Sequence, residues 1–153
     1  MWRPARSALP KLRRDGGRGE EVLPSIAAFC EKEKISSAVF SAIGAVKESK
    51  IGYYDLATKK YGQKEYPSEM EVASMTGNVA LVYPEGTRGV DGKPFVHCHA
   101  VLSAMEEGME NQPIGGHVFE AKVAVTLEVR LTAFQGSIER ALDNEIGLKL
   151  LDI

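Results

Sequence analysis

The chain has 153 residues, enough for one ordinary domain with a real core. Its 44% apolar and 26% charged content is normal for a soluble globular protein, and no window approaches the ~18 uninterrupted apolar residues of a membrane span. The formal net charge of −2 hides an asymmetry: residues 1–18 sum to +5 and the remainder to −7, so the domain body offers no evident footprint for a phosphate backbone.

Residues 1–18 hold two prolines and five arginines without a sustained period, and they read as a basic, disordered arm. Such an Arg-rich, acid-poor start also resembles an organelle transit peptide, and an overlong start without function fits equally well. It lacks an R-G-R-P core for an A·T-rich minor groove. The domain proper is placed at 19–153.

Glu20 to Lys34 reads as a helix, with Val22, Ile26 and Phe29 on one stripe and Pro24 confined to the first turn, so that it starts near Glu21. Ile35 to Ile43 reads as a buried strand, Gly44 as a turn or bulge, and the following stretch as a strand ending at Asp55. A hairpin is expected next, with Gly62 in its loop and Tyr61 and Tyr66 flanking it. Residues 69–83 form a long strand pattern expected to break at Gly77-Asn78. Residues 84–94 are a Gly/Pro-rich loop; its G-x-x-G-x-x-G precedes a strand and lacks the G-K-[ST] ending of a phosphate loop.

All three histidines lie in the next two runs. His97 and His99 are two apart in a strand, so both imidazoles face one way and Cys98 the other. In the second run His117, Phe119, Ala121, Val123, Val125, Leu127, Val129 and Leu131 are expected to share one apolar face, with Glu120 on the other. The acidic connection through Glu106, Glu107 and Glu110 reads as solvated and leaves the register of the two strands open. His117 could join the pair within one subunit or from a neighbouring copy. Three neutral imidazoles on one ion would leave an open coordination position, as in catalytic zinc sites; each histidine could equally be a polar group near a strand end. The tail suggests a short helix stopped by Gly147, then a strand over 148–153. One or two helices and about seven strands, without β–α alternation, predict an α+β domain around a mainly antiparallel sheet. Cys30 and Cys98 lack C-x-x-C spacing and read as buried thiols of a cytoplasmic protein.

Four ordered motifs resemble one family. AIGAVKESKIGYYD, the E-V-x-S-x-T-G-N segment at Glu71–Asn78, FVHCHAVLS and GGHVFEAKVAVTLEV are similar to the PPC (plants and prokaryotes conserved) domain over about 19–153. The resemblance implies an antiparallel α+β fold assembled as a homotrimer, with His97, His99 and His117 as a metal site for zinc. In plants the domain follows an AT-hook; stand-alone prokaryotic members usually carry a provisional DNA-binding label. Members open with a strand leading into a Leu-x-x-Gly-Glu turn. Here Gly19-Glu20 is in place, but the segment before it does not read as a strand.

Three functions follow as expectations. The first is a zinc-binding, DNA-associated or regulatory module. The second is a zinc-dependent hydrolase, with no catalytic residue assigned; Glu120 is a candidate base by sequence proximity alone, and Tyr53, Tyr54 and Glu71 could line a cleft. The third is a structural scaffold, whose apolar 37–43 and 117–131 faces would be shared between core and subunit contact. A small-molecule ligand is left unidentified.

Overall fold

The computed structural model describes residues 4–8, 11–15, 18–84, 89–104 and 112–152. Three short strands come first: β1 (Pro4–Ala8), β2 (Lys11–Asp15) and β3 (Arg18–Gly19). β1 and β2 both pair antiparallel with β8 (Pro113–Phe134), so these parts of the arm expected to be disordered are strands. A strand segment therefore does precede Gly19-Glu20, contrary to the sequence expectation. Backbone pairing to a long neighbouring strand overrides a Pro- and Arg-rich composition.

The helix α1 (Val22–Lys32) buries Val22, Ile26 and Cys30, one residue per turn at four-residue spacing. Pro24 sits in the first turn, where its missing N–H would have had no helical partner. The helix stops at Lys32, two residues short of the expected end. Lys34 takes a left-handed φ of 55°, and the N–H groups of Ile35 and Lys34 bond back to the carbonyls of Cys30 and Glu31. That double closure satisfies two of the last carbonyls without a glycine.

The chain then runs through β4 (Ala38–Asp55), β5 (Lys60–Tyr66), β6 (Met70–Val82) and β7 (Lys93–Ala104) before β8. β4 is one long strand, and the expected irregularity at Gly44 is a bulge within it. Gly44 has φ 142°, and a Cβ there would lie 2.1 Å from the Thr126 carbonyl oxygen, so only glycine lets the two strands approach. The hairpin to β5 turns over residues 56–59, ahead of Gly62, because the Asp55 carboxylate accepts the N–H groups of Ala57 and Thr58 at 2.8 and 2.9 Å. Gly62 itself is a strand residue opposite Tyr53. Likewise β6 passes unbroken through Gly77-Asn78; its irregularity lies between Val72 and Ser74. Of the expected acidic loop, Glu106, Glu107 and Glu110 lie outside the described residues.

The second expected helix does not form. Residues 139–152 are a hairpin, β9 (Glu139–Asp143) and β10 (Leu148–Asp152). Asp143 closes it by accepting the N–H groups of Glu145 and Ile146, and the Gly147 N–H bonds the Asp143 carbonyl. A carboxylate that caps its own turn outcompetes a helix in a segment this short.

The strands form one sheet in the order β10-β9-β6-β4-β8-β2-β3, and β7 joins both β6 and β8. β4, β6, β7 and β8 thus make a closed circuit of pairing. Its inner residues, with those of α1 packed on β7 and β8, form one core that includes Phe40, Met75, Leu102, Leu127 and Leu131. Nearly all pairing is antiparallel, and the single helix is consistent with the expected α+β class. Among the described residues no helix is long and apolar enough to cross a membrane.

Candidate metal centre

β7 alternates as expected. Val96, Cys98, Ala100, Leu102 and Ala104 point into the core, and His97 and His99 point away from it. Burial pushes the Cys98 thiol up to about 12, so it stays protonated as an apolar filler.

β8 departs from the expected alternation at two places. Ile51 pairs with Val118 and Lys50 with Glu120, so Phe119 is an inserted residue without its own partner on β4. One extra residue reverses which side chains face inward. Ala121 and Val123 are core residues, but so is Val118, and His117 lies on the outer face with Phe119. The second departure lies between Val123 and Leu127, where β8 uses four residues against two of β4; Val125 is exposed there instead of buried.

The reversal is what brings the histidines together. His99 is the direct ladder partner of His117. Gly116 precedes it at φ 155°, with a hypothetical Cβ only 2.5 Å from the Gly52 carbonyl oxygen, so glycine lets β8 enter close against β4. The ring centroids of His97, His99 and His117 are 5.0–5.5 Å apart. One nitrogen from each ring lies within 4.8 Å of the others. A tetrahedral ion with ~2.05 Å bonds needs nitrogens roughly 3.3 Å apart, so the three rings would draw together to close on it. Two of the donors also have the right charge state. Burial, then the neighbouring Arg140, then the other two imidazoles lower His97 to about 4. Burial first, with His99 and Arg140, lowers His117 too. Both therefore present lone pairs at neutral pH, as metal ligation requires. All three expected ligands are thus within one subunit, and the residues fit a divalent ion.

The cluster floors a cleft of about 630 Å³ between the outer sheet face and the β9–β10 hairpin. Tyr61 packs against His117 at 5.2 Å and edge-on to Phe119 at 5.0 Å. Tyr54 donates its hydroxyl to the Ile146 carbonyl at 2.7 Å, pinning the hairpin over the cleft. Arg140 donates to Asn78 Oδ1 at 2.7 Å and to the Lys149 carbonyl at 2.9 Å. Asn78 is the ladder partner of His97, so Arg140 is anchored beside the centre.

Of the other sequence candidates, Tyr53 and Tyr54 do line the cleft, whereas Glu71 does not. Glu120 is engaged with Lys50 at 3.0 Å and is also absent from the cleft wall. Tyr61, Asn78 and Arg140 were not singled out for this site from the sequence. A turn signal was present for Arg140, since Asp143 and Gly147 bracket a hairpin loop.

The family model for the Plants and Prokaryotes Conserved (PCC) domain, also written PPC, matches residues 17–135. A PPC protein from Pyrococcus horikoshii is 34% identical, with a TM-score of 0.84 over 100% of this chain and 95% of that one. A metal-containing protein from Archaeoglobus fulgidus is also 34% identical, with a TM-score of 0.82 over 100% and 97% of the two chains. A protein from Ralstonia eutropha, for which DNA binding has been suggested, is 30% identical, with a TM-score of 0.77 over 95% and 90%. A search of curated proteins gave no match. With its motifs, topology and matched length in agreement, the chain belongs to the Plants and Prokaryotes Conserved domain family.

Proposed function

We propose that the protein is a homotrimeric, cytoplasmic metal-binding module in which His97, His99 and His117 hold one divalent ion, zinc by the chemistry of the donors. The observation that carries the reading is the convergence of all three imidazoles of the chain on one point. Three neutral nitrogen donors suit zinc better than the oxygen-seeking calcium or magnesium. The description of the Archaeoglobus relative as metal-containing supports it. An ion held this way would keep its +2 charge and would supply Lewis acidity. Elemental analysis of the purified protein is the direct test. About one zinc per chain is the expected result, and a chain purified without metal that takes up none on dialysis overturns it.

The trimer is supported by an apolar outer surface: Val39, Ile43 and Val125 are 45%, 62% and 66% exposed on β4 and β8. Scattered apolar residues are ordinary, but grouped on two paired strands they suit a subunit contact. Sedimentation should give three times the chain mass. The thiols of Cys30 and Cys98, both buried and outside any disulfide, suit a reducing compartment.

For its role, regulation is favoured over catalysis, because no carboxylate of the described residues lines the cleft to act as a base. The hydrolase reading is favoured only by the cleft's opening onto the centre. The role suggested for the Ralstonia relative makes DNA a candidate partner. In this chain the −7 charge of residues 19–153 leaves only the basic first 18 residues to attract a duplex. A salt titration decides: DNA binding requires log affinity to fall steeply with log salt, and no binding at about 50 mM salt removes it.

A further inference from the structure

Arg140 is only 9% exposed, yet among the described residues no carboxylate pairs with it. A buried cation without a counter-charge is unfavourable. Its two acceptors, the Asn78 amide oxygen and the Lys149 carbonyl, are neutral; they fix the guanidinium without balancing its charge. The Nε–H is buried and has no acceptor. Phe95 lies under the guanidinium at 5.5 Å, which further fixes its plane. This residue lines the same cleft as the three histidines, and the rest of the wall is largely aromatic and aliphatic, from Tyr54, Tyr61, Phe119, Leu148 and Leu150.

We propose that the cleft binds a small monocarboxylate with an apolar body, its carboxylate paired with Arg140 beside the three-histidine centre. A guanidinium offers two parallel N–H groups to a carboxylate, and neutral hydrogen-bond partners elsewhere on it hold that fork in place. The volume and apolar walls suit an organic body and give inorganic phosphate little to bind. A divalent ion at the histidines adds a second positive charge to the same cleft and strengthens the anion's binding. That added strength rests on the metal-binding reading above; the pairing with Arg140 does not.

The test is a calorimetric titration of benzoate, with benzamide as its uncharged counterpart and inorganic phosphate as a control, into chelator-treated and cobalt-loaded protein. Benzoate should bind the metal-free chain at least about tenfold tighter than benzamide, the difference expected when a charge-assisted pair is lost. It should bind the cobalt form more tightly again and alter the visible cobalt spectrum, and Arg140→Gln should remove the preference for benzoate over benzamide. Equal affinity for the two probes, benzoate affinity unchanged in Arg140→Gln, phosphate bound in preference to benzoate, or no benzoate binding to either form overturns the proposal. The comparison of probes on the unmodified chain stands even if Arg140→Gln does not fold. Cobalt-loaded protein that ignores benzoate sinks the proposal and leaves the metal reading intact. A chain that takes up no cobalt but binds benzoate through Arg140 overturns the metal reading alone.

Discussion

His99 and His117 face each other directly across the β7–β8 ladder, with ring centroids 5.5 Å apart and planes at 90°. Cross-strand partners share a face, so two of the three donors are positioned by backbone hydrogen bonds alone. His97, two residues along the same strand, completes the group.

The donors should be separable from the scaffold. His99 is exposed and contributes no core packing, so His99→Ala should keep the fold and melting temperature of the metal-free protein. Its metal affinity should fall by more than the ~10–100-fold typical of losing a supporting partner of a ligand. Paired elemental analysis and circular dichroism check this; retention of the ion by the variant argues against the three-histidine set.

Acid should destabilise the metal-free protein through His97 and His117. Their folded pKa values lie below the ordinary 6.5, that of His97 at about 4. The unfolded chain therefore binds more protons than the folded one between those values. Stability contributed by the neutral rings is complete above about pH 6.5 and declines as pH falls toward about 4. Melting curves of chelator-treated protein across this range should show the decline, and His97→Ala should flatten it.

At Gly44 an alanine would meet both an unfavourable φ of 142° and the Thr126 carbonyl oxygen. Gly44→Ala should destabilise by at least about 1–3 kcal/mol, read as a lower midpoint in urea. An unchanged midpoint would mean that the β4–β8 bulge relaxes freely.

In the core, Leu127 is fully buried opposite Gly44 on the neighbouring strand. Leu127→Ala should lose about 2–5 kcal/mol through lost transfer energy and the cavity left behind. Because Leu127 lies outside the cleft, metal content per folded chain should not change.

Much of the site was legible because strand periodicity is short-ranged. The spacing of His97, Cys98 and His99 fixed two imidazoles on one face, and the structure keeps that arrangement. His117 was identified but placed on the wrong face, since the inserted Phe119 is visible only in the pairing with Ile51 and Lys50. Arg140 escaped for a related reason: residues 137–147 carry a helix-compatible pattern, and the hairpin they form instead is joined to the sheet by a parallel bridge between Leu81 and Glu139. The early strands β1 and β2 likewise depend on β8, a partner more than a hundred residues away. Local patterns reveal faces; which faces meet is decided by distant partners.

The surplus Phe119 gives the protein an unusual sensitivity to chain length. A homologue one residue shorter between His117 and Ala121 could retain every histidine and nearly the same hydropathy, yet turn its third imidazole toward the helix side and leave only a two-nitrogen donor set. Within this fold, counting residues across that segment should therefore distinguish chains able to assemble the centre from chains that merely carry its histidines.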